Sequence, residues 1–184
     1  VGIVRSAFGL QGQKCSACSR IYIEEAVYEP LVARIVELTN KLAIGDPSER
    51  AVYLGPVINQ NSFREYQEFS AELAQAGAIL TGGQVLTDGA YSKGFFCTPT
   101  VAAGVPLHHR LWKHEMFLPI SMVARVKNLA EALHLANDTE YGLTAGFYGS
   151  EDEAQTFFDQ IQAGVSYANR PQGATTGAWP GFQP

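Results

Sequence analysis

Short β-rich segments alternate with amphipathic helical segments along most of the chain. In segment 28–42, for example, apolar residues recur at close to helical spacing, directly after the β-rich run 21–23. The predicted strands are 21–23, 78–81, 95–101, 119–126, 143–148 and 165–168, and the predicted helices are 28–42, 61–76, 129–136 and 151–162. Strands and helices in this order form βαβ units. The pattern therefore predicts an α/β fold with a mainly parallel sheet flanked by helices.

Two residues make the prediction more specific at the ends of elements. Gly77 follows helix 61–76 at the C′ position, where a left-handed backbone is easiest for glycine. Pro99 interrupts strand 95–101 and has no N–H to donate to a neighbouring strand. We therefore expect Gly77 to end its helix in a left-handed conformation, and strand 95–101 to lie at an edge of the sheet.

Composition argues against several classes of function. The 184 residues, 46% hydrophobic and 17% charged, can bury a sizeable core and do not resemble a disordered chain. The formal net charge is −5 and no basic face is visible, which argues against a nucleic-acid partner. No apolar stretch approaches the roughly 18 to 20 residues that span a bilayer. Three cysteines, an odd number, do not form a disulfide framework, so we expect a cytoplasmic location.

Cys15 and Cys18 form a C-x-x-C pair, which the residues alone allow to be interpreted in several ways. A structural zinc site needs four ligands, and neither Cys97 nor the histidines of segment 107–115 have ligand-like spacing to this pair. A thioredoxin-like redox pair precedes a helix, whereas this pair precedes strand 21–23. Ordinary packing of both cysteines is a further alternative.

A single nucleophile at Cys15 is the remaining interpretation. Gly9 and Gly12 are expected to leave the preceding backbone uncrowded, and Gln13 and Ser16 make the surroundings polar. A reactive thiol needs such a setting, with room for a substrate and exposed backbone N–H groups for a developing oxyanion. Cys18 and Cys97, by contrast, are expected to be ordinary packed residues.

Four ordered motifs resemble the aldehyde dehydrogenase superfamily over essentially the whole chain. They are "GQKCSACSR", "HEMFLPI", "ANDTEYGLTAGFYGSED" and "GVSYANRPQGATTGAWPGFQP". The first and last are most similar to the pyrroline-5-carboxylate branch, whose members oxidise glutamate γ-semialdehyde. The resemblance implies a three-layer catalytic domain over residues 1–184, an aldehyde substrate and a homo-oligomer when full length. Open alternatives are another branch with a different aldehyde, and a non-catalytic relative that serves as a binding domain.

The resemblance also assigns roles to individual residues. Cys15 corresponds to the nucleophile, whose thiolate attacks the aldehyde carbon. Glu115 corresponds to a glutamate that accepts hydrogen bonds from the nicotinamide-ribose hydroxyls of NAD or NADP, and Phe117 to an aromatic residue beside the nicotinamide ring. Leu118 stands where the family usually has glycine, so the backbone beside Phe117 is expected to differ.

In the pyrroline-5-carboxylate branch, a hydroxyl and two backbone N–H groups hold the substrate's α-carboxylate. The corresponding residues are Ser16, Gly177 and Ala178. Asn169 corresponds to a residue near the end of the last strand and is expected to brace the loop that follows.

Other parts of such an enzyme are not found in this sequence. No G-x-G-x-x-G-like dinucleotide loop occurs, and the family's general-base motif E-L-G-G does not occur either. Residues 1–12 begin inside an apolar run without an initiator Met, and residues 179–184 end inside a Gly/Pro loop. We therefore expect a fragment that lacks the NAD-binding domain and is inactive by itself.

Overall fold

The computed structural model describes residues 1–170. Its helices are α1 (Gly2–Phe8), α2 (Tyr28–Asn40), α3 (Gln60–Ala76), α4 (Leu129–Asn137) and α5 (Glu151–Gln160). Its strands are β1 (Arg20–Glu24), β2 (Ala78–Thr81), β3 (Val85–Leu86), β4 (Phe96–Cys97), β5 (Thr100–Ala103), β6 (Ile120–Val126), β7 (Thr144–Phe147) and β8 (Val165–Ala168). Short 3₁₀ turns cover Gly9–Gly12, Glu25–Val27, Gly89–Lys93 and Arg110–Trp112.

The main sheet has four strands in the order β1-β6-β5-β2. β6 pairs in parallel with β1 on one side and with β5 on the other, whereas β2 is antiparallel to β5. Residues of β6 are buried on both faces, as expected for a strand in the interior of a covered sheet. The prediction of a mainly parallel sheet is therefore confirmed for this part of the chain.

Helices cover both faces of this sheet, which gives three layers. Val101 and Val123 pack on one face with apolar residues of α1 and α2. Ala102 and Met122, one step along the same strands, pack on the other face with apolar residues of α3. This alternation follows from the two-residue period of a strand, and it places two separate apolar clusters on opposite sides of the sheet.

A second unit follows the main sheet. β7 and β8 form a separate parallel pair in which Thr144 lies opposite Val165. Helix α5 connects them and begins with a capping box, in which the side chains of Ser150 and Glu153 bond each other's backbone N–H. The cap and the three acidic residues of the first turn explain why the helix begins where it does.

The predicted strand 95–101 is two strands, and its placement at an edge is wrong for the second of them, β5. β4 pairs with β3 in a two-stranded sheet, and the chain then turns at Pro99 into β5. β5 lies between β6 and β2 and is completely buried. Because Pro99 falls in the gap between the strands, its missing N–H is not needed in either ladder.

Gly77 does end helix α3, but the left-handed conformation predicted for it is wrong. Its φ is −157°, outside the left-handed region. A side chain is excluded there for another reason, because a Cβ atom would overlap the carbonyl oxygen of Ala103 and lie 2.9 Å from the N atom of Val105. Glycine therefore allows α3 to end in close contact with the sheet.

Helix α1 was not expected from the sequence. Val4, Ala7 and Phe8 are buried on its inner face, where they pack with α2 and the main sheet. Seven residues are too few for a clear helical period, so tertiary packing determines this helix. Among residues 1–170, no helix is both long and apolar enough to cross a membrane.

Candidate active site

A tight turn presents Cys15. The N–H of Ala17 donates to the carbonyl oxygen of Lys14 (2.9 Å), so Cys15 and Ser16 are the two central residues of the turn. The Cys15 side chain is exposed, whereas Ser16 is buried. The backbone N–H of Cys15 donates to no atom within residues 1–170, so it remains available to an incoming group.

The backbone that leads into this turn is left-handed over three consecutive residues. The φ angles of Leu10, Gln11 and Gly12 are 52°, 58° and 66°. Only glycine adopts this region without cost, and other residues lose roughly 1–2 kcal/mol each. Backbone strain of this kind persists only where the surroundings impose it, and it concentrates at functional sites.

Three contacts hold the strained segment. The Gln13 side chain accepts a hydrogen bond from the N–H of Ile58 (3.0 Å). The N–H of Cys18 donates to the carbonyl oxygen of Ser6 in α1 (3.1 Å). Gly12 lies directly against the backbone of Leu118. The expectation that glycine leaves this backbone uncrowded is therefore wrong at Gly12, because glycine there permits close packing.

The other two cysteines lie in apolar surroundings. Burial raises the pKa of the Cys18 thiol to about 11, although Arg20 beside it acts in the opposite direction. The Cys18 thiol also donates to the carbonyl oxygen of Arg20 (3.6 Å). Burial raises the pKa of the Cys97 thiol to about 12. Neither group carries appreciable thiolate near neutral pH, and thiolate is the nucleophilic form.

The segment before β6 places Glu115 and Phe117 on one side. Met116 and Leu118 are buried in the core, whereas Glu115 and Phe117, which alternate with them, are exposed. The Glu115 carboxylate has no hydrogen-bonding or ionic partner within residues 1–170. Both of its oxygens are therefore free to accept hydrogen bonds from a bound molecule.

The backbone at Phe117 is unusual. Its φ of 54° is left-handed, which is a rare conformation for an aromatic residue. Leu118 stands where the resemblance leads us to expect glycine. It is 4% exposed and belongs to the core cluster beside α3. The core therefore accommodates the leucine side chain, while the adjacent aromatic ring remains at the surface.

A cleft of about 610 Å³ connects these features. Its wall includes Cys15, Ser16, Glu115 and Phe117. The first two lie in the turn before β1 and the last two lie before β6, so the parallel pairing of β1 with β6 brings them to one end of the sheet.

Two of the predicted substrate-binding residues, Gly177 and Ala178, lie outside the described residues. The described chain approaches them through Asn169, whose backbone is left-handed. The Asn169 side chain accepts from the N–H of Gly149 (3.1 Å) and donates to its carbonyl oxygen (3.0 Å). These two hydrogen bonds to one residue tie the end of β8 to the segment that follows β7. The loop that Asn169 is expected to brace lies outside the described residues.

Metal-binding and redox interpretations find no support in the described part of the chain. No cluster of three or more histidine, cysteine or acidic side chains there could hold a metal ion. His109 is instead 3.3 Å from Glu72. The C-x-x-C pair combines an exposed Cys15 with a Cys18 of raised pKa, and β1 rather than a helix follows it.

Comparison with known proteins identifies the group of proteins to which this architecture belongs. The model of the aldehyde dehydrogenase family matches residues 1–183. The chain belongs to the aldehyde dehydrogenase family. Family membership agrees with the resemblance seen in the sequence motifs and with the observed three-layer fold.

Individual family members show closer similarity. The chain is 42% identical over 183 residues to a 1-pyrroline-5-carboxylate dehydrogenase of Geobacillus kaustophilus, covering 99% of this chain and 34% of that protein. A crystal structure of 1-pyrroline-5-carboxylate dehydrogenase from Thermus with bound NAD has a TM-score of 0.86 and 38% identity, covering 92% of this chain and 32% of that chain. Proline utilization A from Bdellovibrio bacteriovorus has a TM-score of 0.87 and 36% identity, covering 96% and 18%.

The chain spans about a third of the length of the curated relatives it matches.

The sequence motifs located Cys15, Ser16, Glu115 and Phe117, all of which border the cleft. They did not locate Tyr148, which borders the same cleft and donates to the carbonyl oxygen of Arg170 (2.6 Å). No local signal distinguishes Tyr148 from any other tyrosine at the end of a strand.

Proposed function

We propose that residues 1–184 are the catalytic domain of a longer NAD- or NADP-dependent enzyme that oxidises glutamate γ-semialdehyde to glutamate. Family membership supports an aldehyde substrate, and the names of the similar proteins support the semialdehyde. The observation that carries the proposal is the single cleft bordered by Cys15, Ser16, Glu115 and Phe117.

In this proposal Cys15 is the nucleophile. Its thiolate attacks the aldehyde carbon and forms a thiohemiacetal, and loss of hydride converts this adduct to a thioester that water hydrolyses. A thiolate suits both steps because it attacks well and leaves well. Cys15 is the exposed cysteine at the cleft, whereas Cys18 and Cys97 have raised pKa values and are poor nucleophiles at neutral pH.

The backbone N–H of Cys15 stabilises the oxyanion that forms during the attack. This N–H donates to no other atom in residues 1–170. Donors that are already oriented toward a developing charge contribute strongly to catalysis, since they need no reorganisation during the reaction. A second donor and the general base come from segments outside these 184 residues in the proposal.

Glu115 and Phe117 fit a nicotinamide cofactor. The Glu115 carboxylate has two uncommitted oxygens, which matches the two hydroxyls of a ribose. The Phe117 ring is 43% exposed beside it, on the same side of the segment, and offers an apolar surface for a planar ring. The bound cofactor supplies the hydride acceptor, and these two side chains orient it next to the thiol.

Ser16 holds the α-carboxylate of the semialdehyde, together with the backbone at Gly177 and Ala178. Ser16 borders the cleft and follows Cys15 directly in the sequence, which supports a role for its hydroxyl near the reacting carbon. A hydroxyl and two unhindered N–H groups form a suitable anion nest. In the proposal this recognition distinguishes the semialdehyde from simple aliphatic aldehydes.

The Gly177→Val substitution tests this assignment in the full-length enzyme. A β-branched side chain blocks close approach of the carboxylate and restricts the backbone. Loss of two charge-assisted hydrogen bonds should lower kcat/KM for the semialdehyde by roughly two to four decades. Propanal has no carboxylate, so its kcat/KM should fall much less.

Comparison of kcat/KM for the two aldehydes distinguishes loss of carboxylate recognition from general damage to the enzyme. Equal losses for the semialdehyde and propanal would mean that the loop is only structural, and the semialdehyde assignment would fail. Ser16→Ala provides an independent variant with the same expected selectivity and a smaller loss, since only one hydrogen bond is removed. We also propose a homo-oligomeric, cytoplasmic enzyme, and no turnover by the 184 residues alone.

A further inference from the structure

The backbone around Glu115 must position the carboxylate, because its side chain has no partner within residues 1–170. The segment from His109 to His114 leads directly to Glu115 and includes the short 3₁₀ turn Arg110–Trp112. Contacts from two sides hold this segment, and one side is helix α3.

Two residues of α3, Phe69 and Glu72, make four contacts with the segment. The guanidinium group of Arg110 pairs with both carboxylate oxygens of Glu72, with Nε 2.8 Å from Oε1, and lies 5.5 Å from the centre of the Phe69 ring. The His114 ring meets Phe69 edge-on at 5.3 Å. Phe69 and Glu72 are one helical turn apart, so a single face of α3 makes these contacts.

His109 completes the arrangement at Glu72. Its Nδ1 accepts a hydrogen bond from the N–H of Leu111 (3.3 Å), which assigns the ring proton to Nε2. Nε2 lies 3.3 Å from the Glu72 carboxylate. One carboxylate therefore contacts both His109, which precedes the turn, and Arg110, the first residue of the turn.

The opposite side of the segment is held independently of α3. The Trp112 ring stacks on Tyr22 of β1 at 5.6 Å, and its Nε1 donates to the carbonyl oxygen of Val105 (3.3 Å). Lys113 pairs with Asp138 after α4 (2.6 Å). The buried Leu111, Trp112 and Met116 fix the inner side of the segment, and Glu72 and Phe69 hold Arg110 and His114 on the side of α3.

We infer that Glu72 is a positioning residue for Glu115, which it orients toward a nicotinamide cofactor through Arg110 and His109. The inference rests on the proposed function, because it takes Glu115 as the group that binds the ribose. Glu72 itself lies on α3 and does not border the cleft. Its removal should weaken cofactor binding and leave recognition of the aldehyde unchanged.

The test is a fluorescence titration of the full-length enzyme with NADH in the absence of aldehyde. Glu72→Gln should raise the Kd for NADH about three- to tenfold. Arg110→Gln, which removes the other partner, should have a similar effect. Glu65→Gln removes the same charge from an exposed site on the same helix and should leave the Kd unchanged. The KM for the aldehyde should not change in any of these variants.

A double-mutant cycle with Glu115→Gln tests the positioning role of Glu72 separately from the cofactor-binding role of Glu115. If Glu72 acts through Glu115, adding Glu72→Gln to Glu115→Gln should weaken NADH binding no further. Additive losses, or a Glu72→Gln protein that binds NADH like the parent while Glu115→Gln binds weakly, would overturn the positioning role. A Glu115→Gln protein with unchanged NADH binding would instead contradict the proposed cofactor site.

Discussion

The backbone of Gly12 lies directly against the backbone of Leu118. A Cβ atom at Gly12 would overlap the carbonyl oxygen of Leu118 and lie 2.7 Å from its carbonyl carbon. Gly12 belongs to the loop that presents Cys15, and Leu118 follows the proposed cofactor-binding residues. The two halves of the candidate site therefore meet through main-chain atoms, so displacement of one half displaces the other.

Gly12→Ala should destabilise the protein and disturb Cys15. The substitution forces alanine into a backbone with φ of +66° and inserts a methyl group against a carbonyl. The left-handed conformation costs roughly 1–2 kcal/mol, and overpacking adds about 1–3 kcal/mol. Urea denaturation measures the total loss, and the rate of Cys15 alkylation measures the local effect.

Gly89→Ala is the matched control for Gly12→Ala. Gly89 has a similar φ of +56°, but nothing lies within 4 Å of the added Cβ atom. The loss of stability in Gly89→Ala should be limited to the cost of the left-handed conformation, and the reactivity of Cys15 should remain at the parent level. Equal losses of stability in the two variants would show that contact with Leu118 contributes nothing.

Cys15 should be the cysteine that reacts first with limiting iodoacetamide. At pH 8 a thiol with a pKa of about 11, as for Cys18, is thiolate in about one molecule in 10³. Cys97, with a pKa of about 12 and 2% exposure, should react more slowly still. Peptide mapping by mass spectrometry identifies the labelled residue. Labelling of Cys18 or Cys97 before Cys15 would contradict the assignment of the nucleophile.

The buried Cys97 should make the protein less stable at alkaline pH. Its pKa rises from 9.0 to about 12 on folding, so between these values the unfolded chain has lost a proton that the folded chain retains. The free energy of unfolding should therefore fall as pH rises above 9, by up to about 1.4 kcal/mol per pH unit from this group. Denaturation curves from pH 7 to 11 measure the slope.

Cys97→Ala removes this contribution and provides the comparison. Its stability at pH 7 should be lower, because a buried side chain is shortened. Its slope above pH 9 should nevertheless be shallower than that of the parent. Below pH 8 the two slopes should agree, since both states retain the thiol proton there. Parallel curves over the whole range would show that Cys97 does not titrate differently in the two states.

Asn169 should stabilise the end of β8 in two separable ways. Asn169→Gly keeps a residue that tolerates φ of +53° but loses both hydrogen bonds to Gly149. Asn169→Ala loses the same bonds and also places alanine in the left-handed region. We expect urea denaturation to show that the free energy of unfolding falls by about 1–3 kcal/mol in Asn169→Gly. In Asn169→Ala it should fall by roughly 1 kcal/mol more. A glycine variant as stable as the parent would contradict the bracing role.

The predictions from sequence succeeded where a short stretch of chain determines its own structure. The helix predicted at 28–42 is Tyr28–Asn40, and the strand predicted at 119–126 is Ile120–Val126. Periodicity records which side chains face the core, and that depends on neighbours a few residues away.

The errors occurred where distant segments meet. Gly77 is required by Ala103 and Val105 rather than by a left-handed turn, and Gly12 is required by Leu118 rather than by open space. No local pattern reports such contacts, because a glycine with a positive φ and a glycine at a close approach have the same letter in the sequence.

The sequence by itself determined the order and type of most elements, the family, and the identity of Cys15 and Glu115 as candidate functional residues. Only the tertiary structure decided that the two lie at one cleft, that Cys18 and Cys97 have raised pKa values, and that Glu72 contacts the segment leading to Glu115. The physical reason is that secondary structure follows from short-range periodicity. Burial, desolvation and ion pairing instead depend on which remote surfaces the sheet and its helices bring together.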